Sequence, residues 1–104
     1  MHIEVFRYRV NPDHQDEFET LYARMAGLIK GLSGYLGHKV YTADDGEKLL
    51  VGYFSDFATV EAWDRHPEHK HAKERGKNGV FAEYEVMVGE VVEHHSSKDR
   101  NKEA

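Results

Sequence analysis

The chain has 104 residues, of which 39% are hydrophobic, 12% aromatic and 32% charged, proportions that suit one folded domain with a packed interior. A formal net charge of -5, with no stretch that alternates basic and aromatic residues, speaks against a nucleic-acid partner. The absence of cysteine excludes disulfides, thiolate metal sites and cysteine nucleophiles. No apolar run approaches the roughly 20 residues of a membrane span and the N-terminus lacks an export pattern, so we expect a cytoplasmic protein without a membrane partner.

The first third of the chain predicts a strand followed by a helix. Residues 2–10 alternate two sets of side chains, and each set contains apolar groups. Asn11 can cap a helix and Pro12 is tolerated in a first helical turn, so a helix is expected to begin here and to end near Gly31. Apolar side chains recur along it at helical spacing: Phe18, Leu21, Tyr22, Met25, Leu28 and Ile29.

The middle of the chain predicts a hairpin and then two short helices. Strands over residues 34–42 and 48–54 flank an Asp-Gly turn. A helix over residues 56–63 follows. Pro67 is expected to begin a second helix, because inside one it would remove a hydrogen bond and clash with the preceding turn. That second helix should end at Gly76.

The last part of the chain predicts one long strand and a tail. Residues 80–94 alternate apolar side chains on both faces, and residues 95–104 are polar and are expected to fray. The order strand, helix, strand, strand, helix, strand is typical of a ferredoxin-like antiparallel sheet with both helices on one face. We therefore predict an α+β fold formed by a single domain over residues 1–94.

A sheet covered by helices on one face leaves its other face bare. We expect Phe6, Tyr8 and Val10 to contribute to an exposed apolar patch there, and such patches usually mark an interface. The sequence therefore predicts a homodimer packed sheet to sheet, with a small-molecule pocket between helices and sheet in each subunit.

Three histidines lie close together in the segment AWDRHPEHKHAKERGKNG, but they do not form a predicted metal site. On one helix His66 and His69 would lie about 60° apart, whereas His71 would point about 160° away from His69. Three imidazoles cannot converge from one helix, and no carboxylate stands at a recognised spacing from them. We expect no metal, and a solvated helix face instead.

Three segments carry a resemblance to a known family: VNPDHQDEFETLY, LLVGYFSDFATVEAW and HPEHKHAKERGKNGVFAEYEVMVGEV. They resemble the helix start, the strand-to-helix run and the closing strand of the antibiotic biosynthesis monooxygenase (ABM) family, over residues 1 to about 94. The resemblance implies a dimeric α+β barrel with a pocket in each subunit. It also implies either cofactor-independent oxygenation of aromatic compounds or haem degradation, since the family includes both.

The residues at the haem positions favour the first activity. Trp63 occupies the position of a pocket tryptophan in haem-degrading members, in which an asparagine on the first strand and a haem-ligating histidine complete the site. Ungapped matching places Arg7 and Lys73 at those two positions, and both departures argue against haem degradation. A gap of one or two residues would bring His71 or His69 to the ligand position.

An oxygenase without a cofactor needs a substrate that reacts with dioxygen once it is deprotonated, and the chain offers groups for this. His69 or His66 could be the base, because imidazole titrates near neutrality. Arg7 could stabilise an oxyanion if its strand face points toward the helices. Trp63 and Tyr53 could hold a planar aromatic substrate by stacking.

Each candidate also has a structural interpretation. Trp63 could be a core anchor, Arg7 could neutralise Glu4 or Glu85, and His38 is expected to be structural or solvated. We favour a cofactor-independent monooxygenase-like protein for a small aromatic or quinone-type compound. The alternatives are a ligand-binding or stress-associated dimer without turnover and, less favoured, a haem-binding or haem-degrading enzyme.

Overall fold

A computed structural model describes residues 1–99 of the chain. It contains four strands and three α-helices in the predicted order. They are β1 (His2–Val10), α1 (Gln15–Ile29), β2 (Tyr35–Thr42), β3 (Lys48–Phe54), α2 (Phe57–Arg65), α3 (Pro67–Arg75) and β4 (Phe81–Glu90). A short 3-10 turn, Pro12–His14, precedes α1, and a π turn, Gly76–Val80, joins α3 to β4.

The strands form one antiparallel sheet in the order β2-β3-β1-β4. The two central strands are therefore the first and the third along the chain, and each helical segment connects a central strand to an edge strand. This is the ferredoxin-like α+β arrangement that the element order predicts, and the prediction is confirmed.

Side-chain caps fix where the helices begin. The Asn11 side chain accepts a hydrogen bond from the amide of Asp13, and Asp56 accepts one from the amide of Thr59 at the start of α2. Pro67 lies in the first turn of α3, as predicted, and the preceding His66 is its cap. These local contacts are the reason that the helix starts could be read from the sequence.

Alternation along β1 divides the sheet into two faces. Phe6 and Tyr8 point toward the helices, where Tyr8 is buried and its ring lies 5.5 Å from that of Phe18 in α1. The expectation that Phe6, Tyr8 and Val10 lie on the bare face is therefore wrong for Phe6 and Tyr8, because the opposite set of the alternation faces outward. The inner face is the helix-covered one, and the outer face is the bare one.

The core lies between α1, α2 and β3. Ile29, Phe54, Val60 and Trp63 form its buried cluster, and neighbouring partly buried side chains complete it. Gly34 closes the turn before β2 with φ of 95°, and a Cβ there would lie 2.3 Å from the hydroxyl oxygen of Thr59. Glycine is therefore required where this turn meets α2.

The end of the chain differs from the prediction. β4 begins at Phe81 and ends at Glu90, so it is shorter than the predicted strand over residues 80–94, although the amide of Val91 still donates to the carbonyl of Met1. Of the predicted tail, Ser97–Asp99 forms one 3-10 turn and residues 100–104 lie outside the described residues.

Candidate functional site

A cavity of about 220 Å³ lies between the helices and the inner face of the sheet. Its lining is mainly apolar, with a few polar groups that converge on it from different elements. These polar groups include Glu4, Tyr22, Tyr35, His38, His69 and Lys73. Tyr84 and Val86 of the edge strand β4 also line it and are about half exposed, so the cavity opens toward that edge. Few polar groups in an apolar hollow are typical of a small-molecule site.

Trp63 and His69 form one wall of the cavity. Their rings stack with centroids 4.2 Å apart and planes 15° from parallel. The His69 Nδ1 atom lies 2.9 Å from the carbonyl oxygen of Trp63. The two residues come from α2 and α3, which the break at Pro67 folds back on one another. The structure thus brings together two of the residues predicted for the site.

The contact with the carbonyl decides the chemistry of His69. A carbonyl oxygen only accepts hydrogen bonds, so Nδ1 carries the proton, and the neutral ring keeps its lone pair on Nε2. Burial is the main cause that lowers the pKa of His69 below its usual value, opposed by the hydrogen bond to Trp63. An oriented and neutral imidazole of this kind can act as a general base at neutral pH.

His66, the other predicted base, has a different function. Its Nδ1 atom accepts a hydrogen bond from the amide of Glu68, 3.2 Å away, and so caps α3. The neutral ring then has its proton on Nε2, which makes that atom a donor rather than a base. His66 is also absent from the cavity lining, although its ring lies 5.6 Å from that of Trp63. Its assignment as a base is corrected to that of a helix cap.

Arg7 and Tyr53 lie on the outer face, away from the cavity. Arg7 donates to Glu47 through Nε and Nη2, at 3.2 and 3.1 Å. Tyr53 follows Gly52 on β3 and points to the opposite side from it, where it is 37% exposed. The condition on which the Arg7 assignment depended is not met, and neither residue reaches the cavity. Each lies one position from an inner-facing residue, and alternation alone cannot decide which set faces the helices.

Glu4 is a site residue that the prediction treated only as a partner for Arg7. It lines the cavity from the inner face of β1. Burial, and then the negative charge of Asp64, raises the pKa of Glu4 to about 7, against the opposing effect of Lys73. A carboxyl group can therefore exchange protons near neutrality at this position. The signal in the sequence was an acidic residue in the same alternating set as Phe6 and Tyr8.

His38 is the second group that the sequence did not assign to the site. It lies on the inner face of β2 and lines the cavity. Its Nε2 atom lies 2.9 Å from the Tyr22 hydroxyl, and its Nδ1 atom contacts the Tyr35 hydroxyl. Burial, followed by the positive charge of Lys30, lowers the pKa of His38. The expectation of a structural histidine fits these contacts in part, but that of a solvated one does not.

The strand register connects these two polar regions. Glu4 pairs with Gly52, and Gly52 pairs with His38 on its other side, so the three residues form one row across the inner face. Neighbouring strands lie about 4.8 Å apart, which separates the Cα atoms of Glu4 and His38 by roughly 10 Å. Gly52 has no side chain, and the position that a Cβ would take there is bordered by the side chains of Phe54 and Leu50, at 3.4 and 3.8 Å.

Within residues 1–99 no group of three or more histidine, aspartate or glutamate side chains is arranged to hold a metal ion. His69 stacks on Trp63, His66 caps a helix and His71 is exposed, so the three histidines of this segment point to separate surroundings. No helix among the described residues is both long enough and apolar enough to cross a membrane.

A ferredoxin-like α+β domain with an apolar pocket beneath its helices defines the class of the protein. The model of the family described as antibiotic biosynthesis monooxygenase matches residues 1–75, and the chain belongs to this family. YqjZ of Bacillus subtilis, described as uncharacterized, is 32% identical over 68 residues, which cover 65% of this chain and 60% of YqjZ. The jasmonate monooxygenase ABM of Pyricularia oryzae is 24% identical over 84% of this chain and 41% of its own length. The chain therefore spans less than two thirds of either curated relative.

Solved structures share the fold over most of the chain. Rv0793 from Mycobacterium tuberculosis matches with a TM-score of 0.77 and 16% identity, over 91% of this chain and 98% of that one. SnoaB, a cofactor-independent oxygenase from Streptomyces nogalater, matches with a TM-score of 0.74 and 16% identity, over 89% and 94% respectively. These likenesses extend the α+β fold beyond the segment that the family model covers.

Proposed function

We propose that the protein is a cofactor-independent monooxygenase that acts on a small aromatic or quinone-type compound bound between the helices and the inner face of the sheet. The observation that carries this proposal is His69, which lines the apolar cavity, stacks on the Trp63 ring and is held through Nδ1 in the tautomer that has its lone pair on Nε2. Membership of the monooxygenase family supports the reaction class.

In the proposed reaction, His69 takes the proton of a phenolic hydroxyl and so makes the ring electron-rich enough to react with dioxygen. One oxygen atom remains in the product, and the other leaves as water with two hydrogen atoms from the substrate. The apolar lining keeps bulk water from the anion and from reactive intermediates. The Trp63–His69 stack supplies a flat surface for a planar substrate.

The cavity volume supports a small substrate. About 220 Å³ is below the roughly 300–1,000 Å³ of most ligand pockets, which favours a compound of one or two rings. A haem macrocycle is larger, and Lys73, at the predicted ligand position, donates to Asp64 instead. We expect haemin mixed with the protein to keep the Soret spectrum of free haemin; a shifted and intensified band would favour the haem alternative.

Oxygen uptake on a panel of one- and two-ring dihydroxy-aromatics and quinols tests the proposal. We expect enzyme-dependent uptake with at least one compound and a loss of about 100-fold or more in His69→Gln. His71→Gln is the matched control, because His71 lies on the same helix and is exposed. Since the pKa of His69 is lowered, the acidic limb of kcat/KM should lie below pH 6.5.

The same panel decides between an enzyme and a binding protein. Trp63 is the only tryptophan of the chain, so its fluorescence reports binding in the cavity. Compounds that quench Trp63 without any enzyme-dependent uptake would overturn the monooxygenase proposal and favour the non-catalytic ligand-binding alternative.

We also propose that the protein is a homodimer that packs through the outer faces of two sheets. At one end of this face the apolar side chains of three strands lie together: Ile3, Val5, Val51, Tyr53 and Met87. Ion pairs of Arg7 with Glu47 and of Arg9 with Asp45 lie at its other end. An apolar area with a charged margin is typical of an interface.

A further inference from the structure

We infer that Tyr22, His38 and Tyr35 form a hydrogen-bond relay that binds an oxygen atom of the ligand and can pass a proton to it. This inference rests on the proposed use of the cavity as a ligand site, and it assigns a second polar contact there. The relay is built from α1 and β2, whereas the proposed base, His69, is on α3. Removal of a proton by His69 and delivery of one by the relay would thus be carried out by separate walls.

All three side chains line the cavity, and they are held in a chain. His38 lies in its middle, 2.9 Å from the Tyr22 hydroxyl through Nε2 and in contact with the Tyr35 hydroxyl through Nδ1. Among residues 1–99 neither tyrosine hydroxyl has another hydrogen-bond partner. Both ring nitrogens are therefore used, while both hydroxyls keep capacity for one more bond.

The relay presents one unused phenolic proton to the cavity. A neutral imidazole has one N–H and one lone pair, so one tyrosine must donate to the ring and the other must accept from it. The tyrosine that accepts keeps its own hydroxyl proton for a further acceptor. Whichever tautomer His38 adopts, one phenolic proton remains unused within the described contacts. Burial and Lys30 both lower the pKa of His38, which supports the neutral ring on which this count depends.

The relay can also move a proton without building up charge on His38. The accepting tyrosine gives its hydroxyl proton to the ligand oxygen and takes the ring N–H proton in exchange. The other ring nitrogen then takes the hydroxyl proton of the second tyrosine, and that tyrosine regains a proton from solvent water, which leaves as hydroxide. After this transfer His38 has the opposite tautomer. The ligand atom that fits the transfer is a phenolate or enolate oxygen, because it accepts a hydrogen bond and can take up a proton, whereas a neutral carbonyl oxygen can only accept the hydrogen bond.

His38 lies across the inner face from Glu4, and both residues line the same cavity. His38, Gly52 and Glu4 form one row, so a planar ligand in the cavity can contact the relay at one edge while its ring lies over an apolar floor. Leu50 and Phe54, the inner-facing neighbours of Gly52 on β3, supply that floor. The relay therefore selects for a ligand oxygen at the edge of a ring.

Imidazole ¹⁵N NMR with two matched probes tests this inference. The probes are 2-hydroxy-1,4-naphthoquinone, which has oxygen atoms attached to its ring, and 2-methylnaphthalene, which has none. His38 signals are assigned by their loss in His38→Gln, and affinities are read from the single indole signal of Trp63. We expect the quinone to shift the tautomer equilibrium of His38 and the hydrocarbon to leave it unchanged. Tyr22→Phe and Tyr35→Phe should each weaken binding of the quinone about three- to tenfold, with little change in binding of the hydrocarbon.

Two results would overturn the inference. One is a tautomer equilibrium of His38 that responds equally to both probes, and the other is an equal loss of affinity for both probes in the tyrosine variants. If either variant fails to fold, the tautomer response of the unmodified protein still decides. Oxygen uptake separates the two proposals. If oxygen uptake requires His69 but its kcat and KM are unchanged in both tyrosine variants, the relay proposal is refuted and the monooxygenase proposal stands. A tautomer response of His38 to the quinone alone, without enzyme-dependent oxygen uptake on any compound, would support the relay proposal and refute the monooxygenase proposal.

Discussion

The inner and outer faces of the sheet differ in chemistry although the same four strands supply both. On the inner face, Glu4 and His38 are partly buried polar groups. Burial raises the pKa of Glu4 and lowers that of His38, so it favours the uncharged form of both. On the outer face, Arg7 is exposed and pairs with Glu47, and its pKa is raised by that hydrogen bond. Low polarity on one side and solvent on the other give the two faces different electrostatics.

This difference indicates that the helices, rather than the strands, decide where chemistry can take place. A polar side chain beneath a helix loses water and acquires a perturbed pKa, while its neighbour one residue along keeps ordinary surface behaviour. Binding and proton transfer are therefore proposed for the inner face, and association of two chains for the outer face. Variants at adjacent positions can test this division directly.

The largest expected effect comes from two neighbours on β3. Phe54 is 1% exposed and belongs to the core, so Phe54→Ala should lower the free energy of unfolding by about 3–5 kcal/mol. Tyr53, 37% exposed on the outer face, is the matched control, and Tyr53→Ala should cost a dilute monomer roughly 1 kcal/mol or less. Urea denaturation at low protein concentration measures both. Equal losses would contradict the division into two faces.

The next effect depends on pH and on Glu4. Its pKa is about 7 in the folded protein against 4.5 for the ordinary group, so the stability present below pH 4.5 is lost as the pH rises through 7. Glu4→Gln removes this dependence and should stabilise the protein at pH 8 by on the order of 2–3 kcal/mol, with little change at pH 4.

Urea unfolding curves at the two pH values measure the effect, and Glu90→Gln, at an exposed position of β4, is the control. A stabilisation of the Glu4 variant that is equal at both pH values would contradict burial of an ionisable carboxyl group beneath the helices.

A smaller effect is expected for association through the outer face. Val5→Asp places a carboxylate between Val51 and Met87, the two apolar residues that pair with Val5, and should weaken the dimer roughly 100-fold, because the charge would have no partner there. Sedimentation velocity over a concentration series measures this. Lys70→Asp is the control, since Lys70 is exposed on α3, on the helix-covered side of the sheet. An unmodified protein that is monomeric at micromolar concentration would overturn the dimer itself.

The smallest effect is expected for Arg7. Arg7→Gln breaks an exposed ion pair with Glu47 on the outer face and should leave both oxygen uptake and the urea midpoint almost unchanged. His69→Gln, measured beside it, provides the contrast between the two faces. A loss of uptake in the Arg7 variant comparable to that in the His69 variant would return Arg7 to the reaction and refute its exclusion from the pocket.

Local signals account for what could be predicted. Helix starts at Asn11, Asp56 and Pro67 depend on caps and proline geometry within a few residues, and β3 was bounded by a turn and a cap. Trp63 and His69 meet because they are six residues apart across one helix break. The ends of β4 depend on pairing with β1, far away in the chain, and were predicted too long at both ends.

The sequence by itself determined the order of elements, the family and the fold, because periodicity, caps and quoted motifs are properties of neighbouring residues. Only the tertiary structure decided which alternating set of β1 faces the helices, and with it the exclusion of Arg7 and Tyr53 and the inclusion of Glu4. It also placed His38 between Tyr22 and Tyr35, with Tyr22 coming from a different element. A strand with apolar groups on both faces has no internal signal for its orientation, so packing against the helices had to supply it.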